Sequence, residues 1–339
     1  MRTISVKVPF KIRIEDVPIP IPGRQEVLVR IRACGLCGSD VLSAEKLAKD
    51  RFMPVGHEIT GEIVGFGEGV KGLQKGEKVV LENSTFCGVC ENCKNGSPDC
   101  CKNPYTFNEQ SGFADYICVH NSCLHICEDL SSSAAVLVEP LSVALDLISV
   151  TNIQLNEDVA IIGPGPIGLL AVRLAKMRGA REVYLAGNSH SKARLKIGLE
   201  LGADRIIEVD KMDLSNYVQD NNPEGFAKVI VTAPPRAIVD AINISKYSGI
   251  ISYLGIDYGG GEIVKIDANK FHFKKLQLRA SFSKPKLMYP IAIDLIKRGI
   301  VPVNRFVTHT FSLSQIEEAF KTIKTNKEET IKIAILTEE

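Results

Sequence analysis

From residue 7 to 31 apolar and polar positions alternate, as in Lys11-Ile-Arg-Ile-Glu15 and Glu26-Val-Leu-Val-Arg-Ile-Arg32, with a turn cluster over 18–23 between the two runs. A period of two places every second side chain on one face of a sheet, so this stretch predicts paired strands. Short glycine-punctuated strands follow over 62–70 and 75–81, and strand character resumes over 111–125. The pattern then changes. Residues 141–150 and 169–176 have helical spacing. Short, largely apolar runs at 182–186, 202–209, 227–233, 249–255 and 276–280 alternate with helical stretches such as 237–245. Apolar strands separated by helices predict a doubly wound parallel sheet covered on both faces. Residues 288–298 are amphipathic and should lead the chain back to the first module, which 301–339 would complete.

A chain of 339 residues exceeds one ordinary core and predicts two domains. Hydrophobic residues at 45% and charged residues at 24% are those of a soluble globular protein. Lys and Arg number 41 against 40 for Asp and Glu, a net of +1 that argues against a nucleic-acid partner. The start, Met1-Arg-Thr-Ile-Ser-Val-Lys7, lacks the apolar core of a signal peptide, and no uninterrupted apolar run is long enough to span a bilayer. A cytoplasmic protein without membrane attachment is expected. In that compartment the ten cysteines suggest thiols and metal rather than disulfides.

Three constellations carry chemistry. In Val159-Ala-Ile-Ile-Gly-Pro-Gly-Pro-Ile-Gly168 an apolar run ends in Gly163, Gly165 and Gly168 and opens into a helix. In that context the triplet predicts dinucleotide binding, with Pro166 and Ile167 inside the loop: Gly163 for the turn, Gly165 for backbone approach to a pyrophosphate, Gly168 for close packing. The second is Cys87-Gly-Val-Cys90-Glu-Asn-Cys93 with Cys101, a spacing whose four thiolates can close tetrahedrally on one zinc ion. Cys100 could stand in for Cys101. The third is Cys37-Gly-Ser39-Asp40 with His57-Glu58 twenty residues on, a thiolate, an imidazole and a carboxylate of the types zinc prefers. Taken singly, each of these is more simply a satisfied core residue. Glu139, among apolar residues at the mouth of a helix, is either a capping group or a ligand. Cys34, Cys118, Cys123 and Cys127 have no metal-like spacing and read as small buried residues.

After the second strand of the nucleotide fold an acid normally hydrogen-bonds the ribose 2′-OH of NAD. Here the segment is Gly187-Asn-Ser-His-Ser-Lys192-Ala-Arg194, without an acid. Lys192 and Arg194 would attract a 2′-phosphate, with Asn188, Ser189 and Ser191 as donors, so NADP is expected over NAD. The alternative is that both cations lie on the solvated face of the next helix. Thr232 and Leu254 fall at strand ends where a nicotinamide would lie.

In their order along the chain these elements resemble the zinc-containing medium-chain alcohol dehydrogenases, and more closely the polyol and threonine dehydrogenase-like branch. The resemblance covers essentially the whole chain, including Phe306-Val-Thr-His-Thr-Phe-Ser-Leu-Ser-Gln-Ile-Glu-Glu-Ala-Phe320. It implies an α/β fold: a Rossmann doubly wound sheet over 149–284, with a β-rich GroES-like catalytic domain over 1–148 and 285–339 carrying a structural zinc lobe at 84–104. It implies that Cys37 and His57 bind a catalytic zinc, with Glu58 and Glu139 binding directly or through water, and that Cys87, Cys90, Cys93 and Cys101 hold the structural zinc. It implies that Ser39 relays the substrate proton. Similar proteins have His three residues after that hydroxyl where this chain has Leu42, which breaks their usual proton route. The expected activity is hydride transfer between NADP or NAD and a secondary alcohol or ketone, with a polyol or sugar-derived substrate. A threonine or sugar-acid dehydrogenase and a non-catalytic cofactor-binding protein are the competing readings. Sheet edges in the nucleotide module lead us to expect a homodimer or homotetramer.

Overall fold

Strand Glu26–Leu36 is the axis of the first unit. Val27, Val29 and Ile31 are wholly buried while their neighbours are not, the alternation that the sequence carries. From Ala33 to Leu36 both faces are covered. This strand pairs antiparallel with Glu58–Phe66 on one side and with Lys332–Leu336 on the other. Strands Lys78–Leu81 and Leu124–Ile126 extend the sheet beyond Glu58–Phe66, and Val307–Ser312 extends it beyond Lys332–Leu336. Phe113, Phe320 and Ile63 anchor the core beneath it. The computed structural model describes residues 1–282 and 288–337. Contacts divide the chain into Met1–Ser142 with Ser283–Glu339, and Val143–Phe282.

The second unit is built on six parallel strands in the order Arg205–Glu208, Val183–Gly187, Val159–Ile162, Phe226–Val231, Ser245–Tyr253, Gln277–Ala280. Strand order reverses between Val159–Ile162 and Phe226–Val231, which places a ligand crevice at their C-terminal ends. Helix Pro166–Met177 starts there, with Gly165 as its N-cap and Pro166 as its first residue, where a missing N–H costs nothing.

The segment Ser132–Thr151, which contains Glu139 and Asp146, has the length and hydropathy of a membrane span, yet 78% of its apolar 18-residue window is buried inside the protein. Its apolar character is that of a core helix.

Candidate active site

Strand pairing brings residue 37 to residue 58. Gly35 faces Glu58 across the antiparallel ladder, Cys37 follows as the N-cap of helix Gly38–Leu42, and His57 precedes the facing strand. One ligand atom from each of Cys37, His57 and Glu58 lies within 4.8 Å of the others. Asp40, buried, holds this geometry: its Oδ2 accepts from the Cys37 N–H and its Oδ1 from the Gly56 N–H, both at 2.9 Å, and Oδ1 lies 3.6 Å from His57 Nδ1. Burial alone would lower the His57 pKa, but hydrogen bonds to Asp40 and Cys37 outweigh it and raise the imidazole well above its ordinary value. A thiolate, an imidazole and a carboxylate are ligand types that zinc binds, so the donor set fits that ion.

Glu139 sits in the first turn of helix Val138–Thr151, 7% exposed. Burial pushes its carboxyl up to about 7, opposed by the charge on His57 and reinforced by that on Glu58. Its carboxylate lies outside the three-residue cluster, so the atoms within mutual ligand reach are those of Cys37, His57 and Glu58. Ser39 lies on the first turn of Gly38–Leu42, half-buried, with Leu42 closing the same helix.

A second cluster joins Cys87, Cys90, Cys93 and Cys101. Sulfur atoms of Cys90 and Cys93 are 3.4 Å apart, those of Cys87 and Cys101 3.5 Å, and those of Cys90 and Cys101 3.9 Å. A tetrahedron with zinc–sulfur bonds of about 2.3 Å has edges of about 3.8 Å, so the donor set fits zinc and leaves no open position. Cys101 is buried in the cluster, whereas Cys100 is exposed beside it. The Cys93 N–H lowers the Cys90 thiol, while burial raises that of Cys93. Cys118, Cys123 and Cys127 are buried. Cys34 is buried too, but beside the Cys37, His57 and Glu58 set, where the charges of Asp40 and Glu58 add to burial in raising its thiol.

In the second unit the three glycines differ in surroundings. Gly163 has φ +116°, and a Cβ there would meet Thr232 Oγ1 at 2.7 Å. A Cβ on Gly168 would lie 1.9 Å from the Gly163 carbonyl, while one on Gly165 would meet nothing within 4 Å, leaving the backbone open to a ligand. Thr232 Oγ1 donates to the Gly163 carbonyl at 2.8 Å and so ties the next strand to the loop. Leu254, half-buried, is held at its own strand end by Leu254 N–H to the Val231 carbonyl, and Pro166 and Ile167 form the first helical residues.

One expectation changes here. The sequence offers no acid in 187–194, but Asp210, from the loop after Arg205–Glu208, reaches the end of Val183–Gly187: its Oδ1 accepts from the Ser189 N–H and its Oδ2 from Ser189 Oγ, both at 2.6 Å. Parallel pairing of Gly187 with Glu208 delivers it, a contact across 21 residues that local reading misses. Asn188 and Lys192 are exposed and Arg194 is half-buried on helix Lys192–Leu201.

Comparison with known proteins shows the family. Residues 23–129 match the alcohol dehydrogenase GroES-like domain and residues 166–298 the zinc-binding dehydrogenase domain. The chain is 30% identical over 330 residues to a sorbitol dehydrogenase of Halalkalibacterium halodurans, covering 95% of this chain and 94% of that one. The chain belongs to the zinc-containing medium-chain alcohol dehydrogenase family. Within this family it is also 30% identical over 325 residues to an L-threonine 3-dehydrogenase of Xanthomonas campestris pv. campestris, covering 93% of each. A zinc-binding dehydrogenase of Sinorhizobium meliloti, in a structure bound to NADP, superposes with a TM-score of 0.88 at 25% identity over 99% of this chain and 98% of that one.

In this dehydrogenase two residues at the candidate metal cluster escaped the sequence reading. Asp40 was only part of a motif, and Lys332 was not singled out. Its ammonium donates to Glu58 Oε1 and Oε2 at 2.5 and 2.7 Å, with both side chains buried. The signal was present: Lys332 interrupts Ile331-Lys-Ile-Ala-Ile-Leu336, and a charge inside an apolar strand requires a partner.

Proposed function

We propose that this chain is a zinc-dependent oxidoreductase that transfers a hydride between NADP(H), with NAD(H) the weaker alternative, and a secondary alcohol or ketone, the substrate being a polyol or a sugar-derived molecule. The reading rests on the convergence of Cys37, His57 and Glu58, donors that fit zinc and leave a position for substrate. Zinc at these residues would supply the Lewis acidity that lowers the pKa of a substrate hydroxyl, and the coenzyme would accept or return the hydride.

The chain's own residues do the rest. Asp40 fixes the two backbone segments that carry Cys37 and His57. Lys332 grips both oxygens of the Glu58 carboxylate in a buried place and fixes its position. Glu139, neutral or charged near pH 7, adjusts the net charge around the cluster. The Ser39 hydroxyl would pass the substrate proton outward, and Leu42 cannot continue that relay. The four-cysteine lobe would hold a structural zinc, and the loop at Gly163, Gly165 and Gly168 the coenzyme pyrophosphate. For the preference for NADP, the support is the pair Lys192 and Arg194 at the ribose end of the crevice and the NADP-bound neighbour.

A threonine dehydrogenase activity is the second reading, favoured by the similarity to the Xanthomonas enzyme. All ten cysteines are free thiols, which supports a cytoplasmic location, and the exposed Leu278 and Phe282 on and beside the outermost parallel strand support a homodimer or homotetramer. The test is a panel of polyols, sugar acids, threonine and simple alcohols with both coenzymes, read by nicotinamide absorbance. Polyol turnover favouring NADP would support the proposal; turnover of threonine alone would replace it with the second reading, and no turnover in protein carrying a single zinc would refute both.

A further inference from the structure

We infer that Asp210 sets how far this chain discriminates between a 2′-phosphate and a 2′-hydroxyl on the coenzyme ribose, acting against Lys192 and Arg194. The inference rests on the proposed coenzyme reading and adds a residue to it.

The geometry is local to the second unit. Gly187 and Glu208 are register partners at the C-terminal ends of two parallel strands, and the Val209 N–H donates to the Gly187 carbonyl at 3.0 Å. Asp210 therefore follows the strand edge straight to the turn at Ser189. It takes both donors of that residue, the backbone N–H and the hydroxyl, at 2.6 Å each. Those donors stand at the end of the second strand of the fold, where the 2′-substituent is read. A phosphate arriving there needs donors and positive charge. It finds the Ser189 donors occupied and a carboxylate beside it. Lys211, the adjacent cation, is turned to Glu208 at 2.7 Å. A ribose hydroxyl carries no charge and meets no such opposition. The two basic residues and Asp210 thus pull in opposite directions, and the net preference for NADP is smaller than Lys192 and Arg194 alone would give.

The test is isothermal titration calorimetry of the intact zinc-loaded chain with NADPH and NADH, for the parent, Asp210→Asn and Asp210→Ala. The Asn variant removes the charge at nearly constant shape, and the Ala variant also frees both Ser189 donors. NADPH affinity is expected to rise about tenfold in the Ala variant and less in the Asn variant, with NADH affinity changing far less; a tenfold effect is the scale of one like-charge pair near a surface. Thermal melts of the three proteins control for folding. An unchanged ratio of the two affinities would overturn the inference while leaving the coenzyme reading intact. A selective loss of NADH binding would also overturn it, since Asp210 would then itself accept the ribose hydroxyl. If the parent bound neither coenzyme, the coenzyme reading would fall and the role of Asp210 with it.

Discussion

Lys332 donates to both carboxylate oxygens of Glu58, at 2.5 and 2.7 Å, inside the sheet whose strand Glu26–Leu36 ends beside Cys37. Burial alone would lower the lysine's pKa, but the Glu58 charge more than reverses this and holds the ammonium protonated. The pair joins strand Lys332–Leu336 to the candidate metal cluster. Removing one partner of a buried ion pair costs about 3–5 kcal/mol, because the other charge is left without compensation. In Lys332→Met a zinc ion at Cys37, His57 and Glu58 would supply that compensation. The metal-free variant is therefore expected to melt well below the metal-free parent, and added zinc should raise its Tm by more than it raises the parent's. Calorimetric melts with and without zinc decide it; equal zinc-induced shifts would separate Lys332 from the metal site.

Gly35 lies directly across the ladder from Glu58, and a Cβ there would stand 1.9 Å from Glu58 Oε2. With Lys332 gripping the carboxylate, Glu58 cannot turn aside without breaking the ion pair. Gly35→Ala should cost about 1–3 kcal/mol through overpacking. It should also lower the zinc content from two ions per chain to one, the four-cysteine lobe keeping its ion. Elemental analysis checks this, and two zinc ions in the variant would show that Glu58 is dispensable for holding the metal.

Asp115 ties down the N-terminal strand Arg2–Lys7 by accepting from the Arg2 backbone N–H at 2.6 Å and from its guanidinium at 2.8 Å. Burial pushes its carboxyl up, but the bonds from Arg2 outweigh this and leave it below the usual range. A folded-state pKa below the unfolded value near 3.9 means stability present above about pH 4 and lost as pH falls through the folded pKa. Asp115→Asn should therefore be less stable than the parent at neutral pH, by about 1 kcal/mol for a partly exposed pair. The gap should close as pH falls below 4. Urea midpoints from pH 7 to 2.5 measure it, and a gap independent of pH would assign the loss to packing instead.

The parts of the site legible in the sequence were those whose spacing is short or whose side chains are chemically unusual. The glycine loop and the four-cysteine run are local, so residue type and spacing suffice to read them. Cys37, His57 and Glu58 were legible as a set of ligand types, but their approach depends on the pairing of Gly35 with Glu58, which no local pattern states. Lys332 and Asp210 were missed for the same reason: each arrives through tertiary pairing, Lys332 from a strand two places across the sheet and 274 residues from Glu58, Asp210 from the loop after a neighbouring strand and 21 residues from Ser189. Helix Val138–Thr151 starts ahead of the apolar run beginning at residue 141, because Glu139 and Pro140 occupy a first turn in which an acid and a proline are tolerated.

The two candidate metal clusters should fail in different ways. Cys37 belongs to a set with an open position, and its backbone N–H is bonded to Asp40 whatever the side chain at 37 is. Cys37→Ser should thus abolish turnover while the melting temperature stays within a few degrees of the parent and coenzyme still binds to the other unit. Cys90 sits among three other sulfurs, 3.4 Å from that of Cys93 and 3.9 Å from that of Cys101. In Cys90→Ser the remaining thiolates would hold zinc weakly, and a structural zinc site carries folding free energy of about 10–16 kcal/mol in isolated zinc-dependent peptides. Even a fraction of that should lower the Tm by many degrees, and a chelator should lower the parent's Tm toward the variant's. Melting curves of both variants, with and without chelator, are the measurement. A Cys90→Ser protein as stable as the parent, or a Cys37→Ser protein that still oxidises alcohol, would exchange or cancel the roles assigned to the clusters.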